Sequence, residues 1–159
     1  MNNLDFARVT VQKLKERLQE QFLGLREDRG ELTVWVDRAV WVQAATFLRD
    51  EGFNNLSDLT AVDYLDREPR FDLSAILMCP AFNEDIRLKT LVEEEPCLAP
   101  SLVEVWSGAN WFEREIYDLF GIRFEGHPDL KRILLPADYH GHPLRKDYPV
   151  TGPATSMYR

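Results

Sequence analysis

The side chains best suited to chemistry gather in the last third of the chain. Glu113, Glu115 and Asp118 put three carboxylates in one short stretch. His127, His140 and His142 are the three histidines, and Arg145-Lys146-Asp147 sets two cations beside an anion. Three carboxylates could bind a metal or do acid–base work, but no histidine partner follows at the i+3 or i+4 spacing of a metal-binding helix. Acidic residues near a helix start also complement its dipole, and that reading is preferred. On an extended segment His140 and His142 would point the same way, as a metal pair could begin. A zinc site needs three or four ligands, no cysteine is near, and His127 and His142 directly precede prolines. His127 with Asp129 or Asp138 remains the way to complete such a site. No serine or cysteine lies in a strained-turn context, and no glycine-rich phosphate loop occurs. Arg145 and Lys146 could hold phosphate; with Asp147 following at once, Arg–Asp pairing across an interface explains both signs better.

The element that positions the carboxylates is a short helix. Asn110 stands where an N-cap belongs, Glu113 follows three residues on as in a capping box, and Gly121 suits the position after the last turn. Phe112, Ile116, Leu119 and Phe120 share one face, and Arg114 could reach Asp118 at i+4. Beyond Gly121 periodicity ends. Five of the nine prolines fall between Pro128 and Pro153. Proline reduces the entropy lost when a segment orders on a partner, and such a segment cannot be a central strand. Residues 110–159 therefore read as an anchor helix and an extended docking arm, with closure over its own domain as the alternative.

Residues 1–109 read as an α+β domain. Val11, Leu14, Leu18 and Phe22 give an amphipathic helix over residues 9–23, capped by Thr10 and stopped at Gly24. A short strand near Leu25, a turn at Asp28-Arg29-Gly30 and a strand over Glu31–Val36 follow. Asp37 caps a second helix with a stripe of Val40, Ala44, Phe47 and Leu48, ending at Gly52, with Trp41 and Ala45 on its flank. Leu59–Leu65, Phe71–Met78 and Ile86–Val92 read as strands, the first two joined by a hairpin turn at residues 66–70. Ser101–Trp106 is a helical turn or two. The order helix-strand-strand-helix-strand-strand-strand predicts a two-layer sandwich followed by the short helix and the arm.

At 159 residues with 45% hydrophobic content, one domain with an extension is expected. The net charge of −8 argues against nucleic acid or an anionic membrane as main partner. The charge is uneven: residues 1–110 carry 12 basic and 20 acidic side chains, and residues 111–159 carry seven of each. Cys79 and Cys97 match no metal or ferredoxin spacing and cannot ligate a tetra-cysteine cluster. No apolar run reaches membrane-spanning length, and the first residues carry no secretory or transit pattern, so an intracellular, reduced protein is expected.

Three stretches resemble one family. Glu113-Arg114-Glu115-x-Tyr117-Asp118-Leu119-Phe120-Gly121-Ile122, then Gly126-His127-Pro128-Asp129-Leu130-x-Arg132-Ile133-Leu134, then Gly141-x-Pro143-Leu144-Arg145-Lys146-Asp147-Tyr148 are similar to the signature of the 30-kDa-type (C-type) subunit of respiratory complex I, NADH:quinone oxidoreductase. One departure is Tyr139, where many members carry tryptophan. The resemblance implies a two-layer α+β domain with no catalytic residue and no redox centre. It places the chain in the peripheral arm on the cytoplasmic face of the bacterial inner membrane. The C-terminal extension would dock on the D-type subunit near the quinone site, beside the iron–sulfur subunits. FMN, iron–sulfur clusters and quinone would belong to other subunits, and the D-type partner would be a separate polypeptide. The partner-interface residues it implies are Glu113, Arg114, Glu115, Asp118, Gly121, His127, Pro128, Arg132, Tyr139, Pro143, Leu144, Arg145, Lys146, Asp147 and Tyr148. The alternatives are an equivalent scaffold in a membrane-bound hydrogenase or plastoquinone reductase, and a stand-alone metal enzyme using the three histidines.

Overall fold

The computed structural model describes residues 3–151, with side chains from Phe6. Its elements are α1 (Asn3–Leu18), β1 (Phe22–Asp28), β2 (Glu31–Val36), α2 (Trp41–Asp50), β3 (Asn55–Asp63), β4 (Phe71–Cys79), β5 (Glu84–Val92), β6 (Leu98–Pro100), α3 (Ala109–Phe120) and β7 (Arg123–Glu125). The first five strands form one sheet ordered β1-β2-β5-β4-β3, antiparallel except where β2 runs parallel to β5. α1 and α2 pack against each other, and α1 lies over β1, β2 and β5. The expected α+β class and element order are found.

Period-two alternation decides which face is covered. Leu32, Val34 and Val36 of β2, Leu73, Ala75 and Leu77 of β4, and Ile86 and Leu88 of β5 are buried with Val11, Leu14 and Leu18 of α1. The opposite face carries Arg26, Trp35, Arg87, Lys89 and Asp72, with Lys89 bonded to Asp72 and set 5.6 Å from the Trp35 ring centroid. A sheet covered by helices on one side produces both patterns.

Several boundaries differ from the sequence reading. The first helix ends at Leu18, and Phe22 opens a strand paired with Val36. Gly24 lies opposite Trp35 within that strand and stops no helix. The helix also begins upstream of Thr10, whose buried hydroxyl has no partner and caps nothing. Ladder hydrogen bonds to β2 outweigh the helical spacing of Phe22, as tertiary pairing commonly does. Asp37 does cap, accepting from Ala39 N at 2.7 Å, but it caps a single 3-10 turn that leads into α2. Trp41 and Ala45, read as flanking, sit at the centre of the buried face with Ala44 and Leu48, while Phe47 is only half-buried. β3 runs from Asn55 to Asp63 with a register shift between Leu56 and Asp58, so Tyr64 and Leu65 belong to the turn.

The two-stranded parallel sheet of β6 and β7 has no counterpart in the sequence reading. Ala99 faces Phe124 in it, both buried. α3 lies between these strands in the chain and packs beside β3, the edge strand of the large sheet. The segment after β7 runs back along α3. Pro153, the last of the tail prolines, lies outside the described residues.

Candidate functional site

Asp118 is the hub of the region after β7. It sits in the last turn of α3, which Gly121 closes at φ +78 with its N–H on Tyr117 O. The carboxylate is fully buried and wholly engaged. Oδ1 accepts from Arg132 Nη1 at 2.7 Å. Oδ2 accepts from three consecutive backbone N–H groups, Ile133 at 3.0 Å, Leu134 at 2.8 Å and Leu135 at 2.9 Å. Three donors in sequence turned onto one oxygen make a small anion nest, occupied by the chain's own side chain. Burial alone would push this carboxyl up; the backbone donors and the Arg132 guanidinium outweigh it and hold it below the usual range.

This corrects two expectations. Arg114 does not reach Asp118 at i+4; it donates to Lys131 O and Arg132 O, each at 3.2 Å, across the gap to the returning segment. Asp118 lies at the C-terminal end of α3, so the dipole reading fails for it. The reading fails for Glu113 as well. α3 begins at Ala109 with Gly108 in the cap position, so Asn110 and Glu113 form no capping box. Glu113 instead turns inward, fully buried, and accepts from Ser101 Oγ at 2.7 Å and Leu102 N at 2.6 Å. Its bonds tie α3 to the segment after β6. Burial outweighs those bonds and pushes the Glu113 carboxyl up to about 7. Glu115 alone of the three is exposed.

A second hub lies where the arm's end meets the large sheet. Arg70, 2% exposed, is at the end of the β3–β4 turn. Its guanidinium donates to both oxygens of buried Asp63, Nε at 2.8 Å and Nη2 at 2.7 Å, the bidentate geometry that Arg favours. It also donates to Asp147 Oδ1 at 2.8 Å and to Glu94 Oε1 at 2.6 Å. Asp63 Oδ2 accepts the backbone N–H of Lys146 at 2.7 Å. The Arg70 guanidinium holds the Asp63 and Asp147 carboxyls below their ordinary values, and those carboxylates in turn raise Arg70 further. Asp147, expected to pair across an interface, is thus paired within the chain.

Sequence reasoning missed Arg70 and Asp63, both taken as parts of a hairpin. The available signal was an acid ending one strand and an arginine, seven residues on, opening the most apolar strand. Across a hairpin those positions are close, and a charge entering an apolar run needs a partner.

The other motif residues sort by direction. Arg145 turns inward, Nε donating to Phe120 O at 2.6 Å, its guanidinium 5.2 Å from the Phe71 centroid. His142 Nδ1 donates to Asp118 O at 2.9 Å, and burial lowers its pKa. A Cβ on Gly121 would lie 2.7 Å from the His142 ring, and one on Gly141 2.6 Å from the Tyr148 ring. Tyr139 and Tyr148 join their hydroxyls at 2.8 Å. His127 ties the segment after β7 to the start of α3, bonding Asn110 O at 3.3 Å and accepting from Asp129 N at 3.0 Å. Pro128, Leu144 and Lys146 face out, as does His140, and Pro143 is half-buried. The histidines are therefore not a pair on one side. Among the described residues no three His, Cys, Asp or Glu side chains converge as a metal site. Cys79 is buried; Cys97, half-buried with its sulfur 3.6 Å from Arg145 Nη2, has its thiol pushed up mainly by burial. Among the described residues, no helix is long and apolar enough to cross a membrane.

Comparison with known proteins places this geometry. Residues 34–154 match the family described as the respiratory-chain NADH dehydrogenase 30-kDa subunit. The chain is 44% identical over 151 residues to the C-type subunit of NADH-quinone oxidoreductase from Trichlorobacter lovleyi, covering 94% of this chain and 93% of that protein. It is 46% identical to the same subunit of Geobacter sulfurreducens over the same shares, and 47% identical to that of Brucella ovis over 87% of this chain and 70% of that protein. Among solved structures, the trypsin-resistant fragment of Nqo5 superposes with a TM-score of 0.69 at 30% identity, covering 79% of this chain and 99% of the fragment. A chain of an archaeal membrane-bound sulfane sulfur reductase complex shares the fold at 21% identity, TM-score 0.78, over 91% of this chain and 86% of that one. The chain belongs to the family of the 30-kDa subunit of respiratory-chain NADH dehydrogenase, the C-type subunit of NADH-quinone oxidoreductase.

Proposed function

We propose that this chain is a non-catalytic structural subunit of the peripheral arm of NADH-quinone oxidoreductase. Residues 1–109 serve as platform, and residues 110–159 dock on the D-type subunit near the quinone site, on the cytoplasmic face of the inner membrane. FMN, iron–sulfur clusters and quinone are held by neighbouring subunits. The observation that carries this reading is how the motif spends its charges. Asp118, Arg132, Arg145 and Asp147 are each consumed in fixing the course of the segment from residue 126 to residue 148. Carboxylates and guanidiniums used this way shape a surface. Each is already engaged by its own chain and is not left free to act as a general acid or base.

The partner residues divide accordingly. Glu113, Asp118, Gly121, Arg132, Arg145 and Asp147 act from within, and the contact is made by outward side chains that they position. Co-expression of the full chain with a D-type subunit from the same host tests this. A stable one-to-one complex on gel filtration is the expected result. A chain that elutes alone and itself turns over NADH or quinone would overturn it.

A further inference from the structure

The arm's outward surface contains one site with features of its own. Between residues 139 and 150 the chain folds into a cleft of about 500 Å³ lined by the apolar parts of Tyr139, Pro143, Leu144, Tyr148 and Val150 and by the cations Arg145 and Lys146. Its floor is stiff. The Tyr139–Tyr148 hydroxyl bond and the close approach of Tyr148 to Gly141 fix the two rings. Its walls spring from anchored backbone, Leu144 N on Leu119 O at 3.0 Å and Lys146 N on Asp63 Oδ2 at 2.7 Å. Yet the apolar side chains of those walls are bare, Leu144 being 48% exposed and Val150 wholly so. A shallow concave surface on fixed backbone, with exposed apolar walls, is the form an anchor pocket takes at a protein interface.

Charge identifies the occupant. Of the cations between residues 131 and 146, Lys131 pairs with Asp129, Arg132 with Asp118, and Arg145 with Phe120 O. Of these four, Lys146 is the one whose ammonium meets no partner among the described residues. Its neighbour Asp147 is turned away to Arg70. An unpaired ammonium beside an apolar pocket fits an apolar side chain that has a carboxylate next to it.

We propose that the arm grips its partner through this cleft, which receives one apolar anchor residue of the partner while Lys146 meets an adjacent carboxylate. This rests on the docking reading above and deepens it, assigning the contact to Leu144, Lys146 and Val150 and not to the buried charges of the motif.

The test measures the affinity of full-length chain for the co-expressed D-type subunit with Leu144→Asp, Val150→Asp, Lys146→Glu and Lys146→Arg. Each of the first three is expected to weaken binding by roughly tenfold or more, and Lys146→Arg to leave it near the parental value. None of these three side chains belongs to the hydrogen-bonded framework, so melting temperatures should stay together. If Leu144→Asp melts early, Lys146→Glu decides. A complex that forms normally and resists Leu144→Asp, Val150→Asp and Lys146→Glu overturns the cleft and leaves the docking reading standing. Failure of the parental chain to bind at all overturns the docking reading, and the cleft with it.

Discussion

The body and the arm of this protein are held by different physics. In the body, Val34, Leu88 and Leu73 are buried among apolar neighbours, and any of several side chains of similar volume would serve. From residue 126 onward little apolar surface is buried, and shape comes from two charged hubs. Asp118 gathers Arg132 and three backbone donors; Arg70 gathers Asp63, Glu94 and Asp147. Burial is forgiving and nondirectional, whereas a hub fails when one member is lost, because its partners are left buried and unpaired. The body tolerates change, and the arm depends on a few residues of fixed identity.

The largest expected effect is at the hub itself. Asp118→Ala strands Arg132 and the N–H groups of Ile133, Leu134 and Leu135, and should cost roughly 3–5 kcal/mol in urea unfolding. The loss should be concentrated in the arm: backbone amides of residues 131–145 should lose protection while those of β4 and β5 keep theirs. Leu88→Ala, at the sheet centre, should cost about 3 kcal/mol and lower both regions together, since the arm lies on the body. If the two variants give the same residue-by-residue pattern, the distinction between the regions breaks.

Titration sharpens it further. Asp63, Asp118 and Asp147 are held below ordinary carboxylate values. Their contribution is therefore complete above an unfolded value of about 4 and is lost as pH falls through the lowered folded values. Glu113 behaves oppositely. Its folded value of about 7 lies above the ordinary 4.5, so its contribution is complete below 4.5 and lost as pH rises through 7. The arm's hold weakens in acid, and the root of α3 weakens toward neutrality. Melting temperature followed from pH 4 to 8 should fall less above 4.5 in Glu113→Gln than in the parent; parallel curves would contradict the assignment. The smallest effect is expected from Asp147→Asn. Its carboxylate is half-exposed and Arg70 keeps Asp63 and Glu94, so unfolding should change by less than about 1 kcal/mol, with faster amide exchange confined to residues 145–149.

The same difference explains what could be read in advance. The β-branched and aromatic run Glu31–Val36, the apolar run Phe71–Met78 and the alternation along Ile86–Val92 expose the sheet, because its strands carry their signal within a few residues. Apolar spacing likewise exposes α2 and α3. Phe22 misled because its spacing suits the helix while its backbone pairs with Val36, a non-local contact without a local signature. β6 and β7, three residues each, are too short to carry any pattern. In the arm, residue types pointed to the right stretch, since the family's motifs lie there, yet gave no direction for any side chain. Asp118 and Glu113 look like dipole-complementing surface acids until the segments after β7 and β6 are folded onto them. Arg70 looks like a solvated turn residue until Asp147 arrives from 77 positions away.

The central claim is that the arm is shaped by its own chain before any partner arrives. Hydrogen exchange at the amides of Ile133, Leu134 and Leu135 in the isolated full-length protein tests it most directly. Slow exchange in the parent, accelerated by Asp118→Ala, is the predicted result. Exchange at unprotected rates in the parent would contradict the account.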